Sequence, residues 1–410
     1  MTASRRPTVR TLRSGGRSNL PRERVGGVVV GGDFLGLGIA RSLGRRGIPV
    51  CVVDDERSIT RFSRFANYAV RVEDLRDERA TTEALLETER RLGVRGWVLF
   101  PTRDEIVAAI AKNRDQLLPR YRVPVPPWET IRWASDKRNT YELTRRLGIP
   151  TPRTWYPADR ADLADIDGDP PFALKPAIKE NFIYATGDKA WRADTPGELE
   201  RLYARACKVA GEGEIMVQEL IPGDGRYQYA FGAFFKDGVS LGAMTARRRR
   251  QHPPEFGRAT TFAETVDLPV LRERSERLLR EIDYYGLVEL EFKQDPRDGE
   301  YKLLDFNARA WGYHTLGGAA GVDFPVLLFD DQMGRTVGER QARPGVGWVR
   351  LTTDLPTVAV ELAAGRLRPR ELARTLFRDA DTEAVFSRHD PAPGAAELAL
   401  LPYLIYKRGF

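Results

Sequence analysis

Four polar side chains stand in two neighbouring predicted strands, within GLVELEFKQDPRDGEYKLLDFNAR at residues 286–309. Glu289 and Glu291 share one face of the first strand, because side chains alternate along a strand with a period of two. Asp305 and Asn307 share a face of the second strand for the same reason. Carboxylates that converge across a hairpin repel one another unless a cation lies between them, and Mg²⁺ with substrate phosphates as further ligands would serve. A solvated strand face with unrelated carboxylates is the alternative.

Two lysines stand where they could bind phosphate. Lys137 begins a predicted helix in Ser-Asp-Lys, and Lys175 ends an apolar strand in Ala-Leu-Lys-Pro. The lysine ammonium is a compact charge suited to neutralising phosphate oxygens. Each lysine by itself is more often an ordinary surface residue.

The segment MVQELIPGDG, residues 216–225, is a strand that ends at Gln218 and Glu219 and then turns. A strand-to-loop hinge offers free backbone N–H and C=O groups that can bind the edge of a purine. A plain turn is the alternative interpretation.

Four consecutive arginines, Arg247–Arg250, follow a predicted strand in TARRRRQHPPEFG. Such a run suggests an anionic partner, which could be a phosphate, a carboxylate or a nucleic acid. Pro253, Pro254 and Gly257 predict a loop that could close over a site. A solvated run of charge is the alternative.

The composition indicates packed domains in a reducing compartment. A chain of 410 residues fits two or three domains. Its two cysteines, Cys51 and Cys207, lie far apart and support neither a disulfide framework nor a cysteine zinc site. We find no apolar run long enough for a membrane span and no export signal, so we expect a cytoplasmic protein.

The net charge of +7 is concentrated at one end of the chain. Residues 1–24 contain seven arginines and one glutamate, so they carry +6 and the other residues only +1. We expect residues 1–24 to be a disordered basic tail. Contact of this tail with RNA or anionic surfaces is an alternative to simple solvation.

The elements that must position these residues begin with a strand, a glycine-rich turn, a helix and a strand over residues 25–54. This order is typical of a parallel sheet. The glycine spacing does not match the dinucleotide-binding fingerprint, although Asp54 ends the second strand as a ribose-binding acid would. A helix at 76–92, a strand at 96–101 and a helix at 102–117 complete an open α/β domain over residues 25–125.

Residues 123–130, VPVPPWET, predict a linker, after which Ser135 or Asp136 begins a helix that stops at Gly148. The remaining predicted elements are strands at 172–175, 215–220, 227–235 and 239–246, and helices at 269–284 and near 355–377. A polar break is expected at SRHDPAPGAAE, residues 387–397.

These motifs occur in an order that resembles the ATP-grasp superfamily. The series is Lys137, Leu174-Lys175-Pro176, Gln218-Glu219-Leu-Ile-Pro-Gly223, Glu291-Phe292 and Asp305-Phe-Asn307-Ala-Arg309. Within the superfamily the chain is similar to carboxylate–amine ligases. The resemblance implies an α/β and α+β fold, with an N-terminal open parallel α/β (pre-ATP-grasp) domain at 25–125. A two-lobed ATP-grasp domain would follow at 126–335, with its small ATP lobe at about 150–223 and a C-terminal extension at 336–410.

The resemblance also implies roles for individual residues. ATP would be bound by Lys137, Lys175, Gln218, Glu219, Leu220 and Ile221. Mg²⁺, or Mn²⁺ in its place, would be bound by Glu291, Asp305 and Asn307. The residues expected to act in catalysis are Arg309, Lys175, Arg247 and Arg248, with the Arg247–Arg250 loop as a lid that binds a substrate carboxylate.

Three departures from the family pattern stand out. Asp305 replaces the usual Glu, Ala308 replaces the usual Pro before Arg309, and KENFIYATGDK at 179–189 replaces the expected glycine-rich phosphate loop. Asp224 is the only candidate for a ribose carboxylate, and it is not secure.

The implied reaction joins a carboxylate to an amine through an acyl phosphate and releases ADP and phosphate. Its partners would be small molecules, with no membrane and no nucleic acid, and a homodimer is compatible with the resemblance. The alternatives are another ATP-grasp phosphoryl or carboxyl transfer, or a non-catalytic protein that binds nucleotide or RNA through residues 1–24 and 247–250.

Overall fold

The computed structural model describes residues 10–13, 24–253, 257, 259–374 and 378–408. The elements of the N-terminal part are β1 (Arg10–Arg13), β2 (Gly27–Val30), α1 (Phe34–Arg45), β3 (Val50–Asp54), β4 (Ala66–Arg71), α2 (Glu78–Leu92), β5 (Val98–Pro101), α3 (Asp104–Lys112) and α4 (Arg114–Leu117). The sheet has the order β1-β4-β3-β2-β5, and its last four strands are parallel. This arrangement matches the predicted open α/β sheet.

Strand β1 lies within residues 1–24, which were predicted to be a disordered tail. It pairs antiparallel with β4, and Arg10 lies opposite Arg71. The prediction is therefore wrong for Arg10–Arg13, because backbone pairing to a sheet edge requires no apolar side chains. Residues 1–9 and 14–23 lie outside the described residues.

The turn between β2 and α1 lies at the carboxyl edge of the parallel strands. Gly31 has φ of 98°, and a Cβ atom there would meet Thr102 Oγ1 at 2.0 Å. A glycine is therefore required where the chain leaves β2. Asp33 then caps α1, since its side chain accepts hydrogen bonds from the backbone N–H groups of Leu35 and Gly36.

The predicted linker at 123–130 packs into the interior. Val123 and Val125 are buried in the same hydrophobic cluster as Val28 of β2 and Leu290 of the following domain. The first half of the connection, residues 123–126, is therefore packed against both parts of the chain, while Pro127 and Glu129 are exposed.

The next part of the chain forms a small lobe. Its elements are α5 (Trp128–Ser135), α6 (Lys137–Arg146), β6 (Thr154–Trp155), β7 (Phe172–Pro176), α7 (Lys179–Thr186), β8 (Trp191–Ala193), α8 (Pro196–Ala210) and β9 (Ile215–Glu219). The strands form a sheet in the order β6-β9-β7-β8. Asp136 caps α6, because its side chain accepts a hydrogen bond from the N–H of Arg138. Of the two residues predicted to begin this helix, Ser135 and Asp136, the second is therefore the cap. Helix α7 occupies the segment that replaces the glycine-rich loop.

A larger, mainly antiparallel sheet follows. Its elements are β10 (Gln228–Lys236), β11 (Val239–His252), β12 (Ala259–Val266), α9 (Pro269–Glu281), β13 (Gly286–Gln294), β14 (Tyr301–Asn307), α10 (Thr315–Ala319), α11 (Phe324–Gln332), β15 (Arg340–Gln341), β16 (Gly347–Val349), α12 (Leu351–Ala363), α13 (Pro369–Arg374), β17 (Thr382–Glu383) and α14 (Ala392–Arg408). The strand order is β14-β13-β10-β11-β12-β16-β17, and β15 pairs with β11.

The C-terminal segment belongs to this fold instead of trailing from it. Strands β16 and β17 extend the large sheet, and the predicted helix near 355–377 is two helices, α12 and α13. Helix α14 starts inside the predicted polar break. Asp390 forms a buried ion pair of 2.9 Å with Arg41 of α1, so this segment is held against the N-terminal domain.

Candidate active site

The hairpin of β13 and β14 brings together the predicted metal ligands. Glu291 lies directly opposite Asp305, and Glu289 lies opposite Asn307. The Asn307 Nδ2 atom donates to Glu289 Oε2 at 3.1 Å and to Glu291 Oε1 at 3.2 Å. The period-two argument therefore correctly predicted that Glu289, Glu291 and Asn307 come together, and Asp305 lies opposite Glu291 in the strand register.

Two carboxylates of this cluster, Asp305 and Glu291, are each paired with a cationic side chain. Lys137 donates to Asp305 Oδ1, and Arg248 forms an ion pair of 3.2 Å with Glu291. Glu289 is less well compensated, since its Oε1 atom is buried and accepts no hydrogen bond from the described residues. Burial and the neighbouring charge of Glu291 raise the pKa of Glu289 to about 7.

The donor set suits a hard divalent cation. Carboxylate and amide oxygens are the ligands that Mg²⁺ and Mn²⁺ prefer, and an uncompensated buried carboxylate oxygen is a place where positive charge is needed. Across the described residues, no three His, Cys, Asp or Glu side chains are grouped so as to hold a metal ion by themselves. A cation at the hairpin would therefore also need the Asn307 amide and ligand oxygens such as phosphates.

The two predicted phosphate lysines lie next to this cluster. Lys175 is the last residue but one of β7 and donates through Nζ to Gln218 Oε1 at 2.7 Å. Burial, together with the nearby charge of Lys137, lowers the pKa of Lys175 to about 7. An anionic ligand between the two ammonium groups would remove their repulsion and restore the charge on Lys175.

Gln218 is fully engaged by protein groups. Its Nε2 donates to Tyr141 OH at 3.1 Å and to Thr154 Oγ1 at 2.9 Å, while its Oε1 accepts from Lys175. The side chain thus positions Lys175 and has no N–H group left with which to contact a purine. Glu219 is held by ion pairs to Arg297 at 2.9 Å and Lys302 at 3.4 Å.

The rest of the hinge is fixed by a residue that the sequence analysis missed. Lys293 of β13 is buried, and its Nζ donates to the carbonyl oxygens of Ile221 at 2.7 Å and Gly223 at 2.6 Å. The neighbouring Leu220 N–H donates to Pro171 O at 3.2 Å. Lys293 shares the strand face of Glu289 and Glu291, so the same alternation could have identified it.

The predicted arginine lid is wrong. Arg247–Arg250 lie inside β11, which continues to His252, and each arginine is partnered by a carboxylate. Arg247 and Arg249 pair with Glu264 on β12, because the two strands place these side chains on one face. Only Arg248 reaches the hairpin. Residues 254–256 and 258 of the predicted loop lie outside the described residues.

Arg309 links the hairpin to the N-terminal domain. Its Nη2 donates to Asp104 Oδ2 at 2.9 Å and to Asn307 Oδ1 at 3.4 Å. His314 is buried, bonds through Nδ1 to Trp311 O at 2.9 Å and does not line the cavity described next.

A cavity of about 840 Å³ lies between part of the hairpin, the N-terminal domain and the C-terminal segment, and its lining includes neither Lys137 nor Lys175. The hairpin side contributes Glu289, Glu291, Asn307, Arg309 and Arg248. The N-terminal domain contributes the Gly31–Phe34 turn, and the C-terminal segment contributes Arg350 and Glu397. The site therefore has a volume suited to small-molecule substrates.

No family model matches the chain. A D-aspartate ligase from Enterococcus faecium is 23% identical over 303 residues, which cover 69% of this chain and 70% of that protein. The carbamoyl phosphate synthase large chain of Thermomicrobium roseum is 23% identical over 320 residues, which cover 75% of this chain and 28% of that protein.

Solved structures with the same architecture include an L-amino acid ligase from Bacillus licheniformis, with a TM-score of 0.60, 16% identity and coverage of 79% of this chain and 78% of that one. An N5-carboxyaminoimidazole synthetase from Staphylococcus aureus in complex with ADP has a TM-score of 0.63 and 14% identity, with coverage of 84% and 88%. The chain has the ATP-grasp fold. The predicted resemblance and the predicted fold class are thereby confirmed.

Among the residues that the structure describes, no helix combines the length and the apolarity needed to cross a bilayer.

Proposed function

We propose that the chain is an ATP-dependent ligase that joins a carboxylate to an amine through an acyl phosphate. The observation that carries this proposal is the hairpin cluster of Glu289, Glu291, Asp305 and Asn307, with two lysines beside it and a cavity that Glu289, Glu291 and Asn307 help to line. The relatives named D-aspartate ligase and L-amino acid ligase support an amino acid as one of the two substrates.

ATP would lie between the small lobe and the large sheet. Lys137 and Lys175 would neutralise its phosphates, and the backbone from Gln218 to Ile221 would contact the adenine. Glu291, Asp305 and Asn307 would hold Mg²⁺ or Mn²⁺, whose contribution when bound is to neutralise charge on the phosphate oxygens.

The chain's own residues would promote two displacements. In the first, an oxygen of the substrate carboxylate attacks the γ-phosphorus, the bond to the β–γ bridging oxygen breaks, and ADP leaves. Arg309 would neutralise charge on the transferring group, since its guanidinium lies between Asn307 and the cavity. In the second, the amine nitrogen attacks the acyl carbon, phosphate leaves, and the nitrogen loses a proton.

The acyl phosphate must be protected from water between the two steps. The cavity is walled by the N-terminal turn, the hairpin and the C-terminal segment. Helix α7 also contributes Tyr184, whose OH donates to Glu105 Oε1 of α3 at 2.6 Å. This contact joins the small lobe to the N-terminal domain and would close the cavity during the reaction. A cytoplasmic location and a homodimer belong to the proposal as well.

The test is ATP consumption with a panel of D- and L-amino acids and small acids, with ADP and AMP resolved. ADP and phosphate that appear only with a particular acid and amine would support the ligase and name its substrates. AMP would indicate adenylation and overturn the acyl-phosphate route. ADP formation that needs bicarbonate would indicate carboxyl transfer, an alternative suggested by the similarity to carboxyaminoimidazole synthetases. ADP formation with an acid and no amine would indicate phosphoryl transfer.

A further inference from the structure

Three buried arginines connect the C-terminal segment to the rest of the protein, and they differ in how fully they are hydrogen-bonded. Arg41 donates through Nε to Asp390, through Nη1 to Ala384 O and through Nη2 to Val385 O. Arg250 makes a two-pronged pair with Asp354, at 2.8 and 2.7 Å. Neither residue lines the cavity, and both are structural.

Arg350 is different. It is only 3% exposed, yet its guanidinium makes one hydrogen bond with the described residues, from Nη2 to Glu397 Oε1 at 2.7 Å. Its Nε is buried without an acceptor. A guanidinium has five N–H donors, and buried donors are normally satisfied because an unsatisfied one carries its full desolvation cost. Arg350 therefore needs a further acceptor.

The surroundings of Arg350 indicate where that acceptor would come from. Arg350 and Glu397 both line the cavity, and the guanidinium carbon lies 4.1 Å from the centre of the Phe34 ring. Stacking on Phe34 covers one face of the guanidinium and leaves its edge for in-plane hydrogen bonds. Glu397 is itself fixed by Thr352 Oγ1 at 2.8 Å, so it orients the arginine. A planar carboxylate matches the geometry of such an edge.

The strand order places Arg350 away from the reacting phosphate. It follows β16, which is separated from β13 by β12, β11 and β10. Four strand spacings correspond to about 19 Å along the sheet. A carboxylate bound by Arg350 would lie on the part of the cavity lining that the C-terminal segment contributes, whereas Glu291 and Asn307 lie on the part that the hairpin contributes. Such a carboxylate would be a group that the reaction does not consume.

We propose that Arg350 binds a non-reacting carboxylate of a substrate, and that the C-terminal segment thereby selects substrates that keep a free carboxylate after coupling. Amino acids coupled through their nitrogen, and acids with a second carboxylate, have this property. The inference rests on the proposed ligase function, which it narrows to a substrate class.

The experiment measures binding by calorimetry in the presence of Mg·ADP. The probes are D- and L-aspartate compared with D- and L-asparagine, and D- and L-alanine compared with their carboxamides. Wild-type protein is expected to bind at least one carboxylate-bearing probe. Arg350→Gln is expected to weaken that binding by about ten- to hundredfold, because a charge-assisted hydrogen-bonded pair is lost. Affinity for Mg·ADP is expected to stay unchanged.

Arg41→Gln is the matched control, because it also removes a buried arginine that pairs with a C-terminal carboxylate but lies outside the cavity lining. It is expected to lower the melting temperature and to leave probe affinity unchanged. If Arg350→Gln does not fold because Glu397 is left unpaired, Arg350→Gln/Glu397→Gln removes the stranded charge and is measured in its place.

Equal probe affinity in wild type and the Arg350 variant would overturn the inference, as would an equal loss in the Arg41 control or the failure of every carboxylate-bearing probe to bind. The ligase function fails separately. The ligase function is wrong if probe binding depends on Arg350 but no pair of an acid and an amine releases ADP. The ligase function stands, and the Arg350 inference is wrong, if an acid and an amine release ADP while Arg350→Gln leaves the KM for every substrate unchanged.

Discussion

Lys293 allows the hinge assignment to be tested by a single substitution, Lys293→Met. The ammonium donates to the carbonyls of Ile221 at 2.7 Å and Gly223 at 2.6 Å. A hydrogen bond from a charged donor contributes about 1.5–3 kcal/mol, so the two bonds together contribute about 3–6 kcal/mol. Methionine keeps the length and apolar volume of the side chain but loses both bonds.

The cost of burying the ammonium offsets much of this contribution. Burial lowers the pKa of Lys293 from 10.5 to about 8, and a lowering of this size corresponds to about 3 kcal/mol of destabilisation. That cost is fully present below pH 8, where the folded protein must hold the charged form, and is relieved as the pH rises towards 10.5. Methionine removes the cost along with the bonds, so we expect a net loss of about 0–3 kcal/mol in the free energy of unfolding.

ATP affinity should suffer more clearly than stability. Without Lys293 the hinge carbonyls are no longer held in one orientation, and we expect the Kd for Mg·ATP to rise about tenfold, equivalent to about 1.4 kcal/mol. Calorimetry measures the Kd, and thermal unfolding checks the fold. Lys236→Met is the control, because it also removes a lysine contact, the 2.7 Å ion pair to Asp331. Lys236 is the last residue of β10, whereas Lys293 is paired with the first residue of that strand, Gln228. Unchanged ATP affinity in a folded Lys293→Met protein would refute the reasoning.

Three further substitutions test other contacts. Asp305→Asn should abolish ADP formation with an unchanged circular dichroism spectrum, and retained turnover would remove Asp305 from the metal site. Gln218→Leu removes the oxygen that accepts the hydrogen bond from Lys175, so the KM for ATP should rise about tenfold while the preference for ATP over GTP stays unchanged. A loss of that preference would mean that the Gln218 amide contacts the purine. Arg41→Gln leaves Asp390 buried without its cation, so unfolding free energy should fall by about 3–5 kcal/mol. A fall in unfolding free energy below about 1 kcal/mol would contradict that account.

The hairpin cluster could be predicted because it depends on local rules. Alternation along two strands placed Glu289, Glu291 and Asn307 together, and an Asp136 cap placed Lys137 at the start of its helix. Both rules act over a few residues, so one sequence is sufficient to apply them.

The role of the arginine run could not be predicted in the same way. Pro253 and Pro254 suggested a loop, but β11 extends to His252, and its arginines are neutralised by Glu264 and by Asp354. Asp354 lies 104 positions away from Arg250 in the chain. Partners so far apart in the chain can be identified only from the tertiary structure. The positions of Arg350 and Glu397 in the cavity lining could not be predicted from the sequence for the same reason.

The lining of the cavity extends from Gly31 to Leu400. A chain that is still being synthesised has therefore made the hairpin and both phosphate lysines before the last cavity wall has left the ribosome. N-terminal regions generally fold first during synthesis, so ATP could be held before the enclosure exists. If the proposed chemistry is correct, premature acyl phosphate would then be lost to water. Arg350 and Glu397 come after the hairpin and both phosphate lysines in the order of synthesis, so the proposed selection of substrate would follow the making of the ATP site.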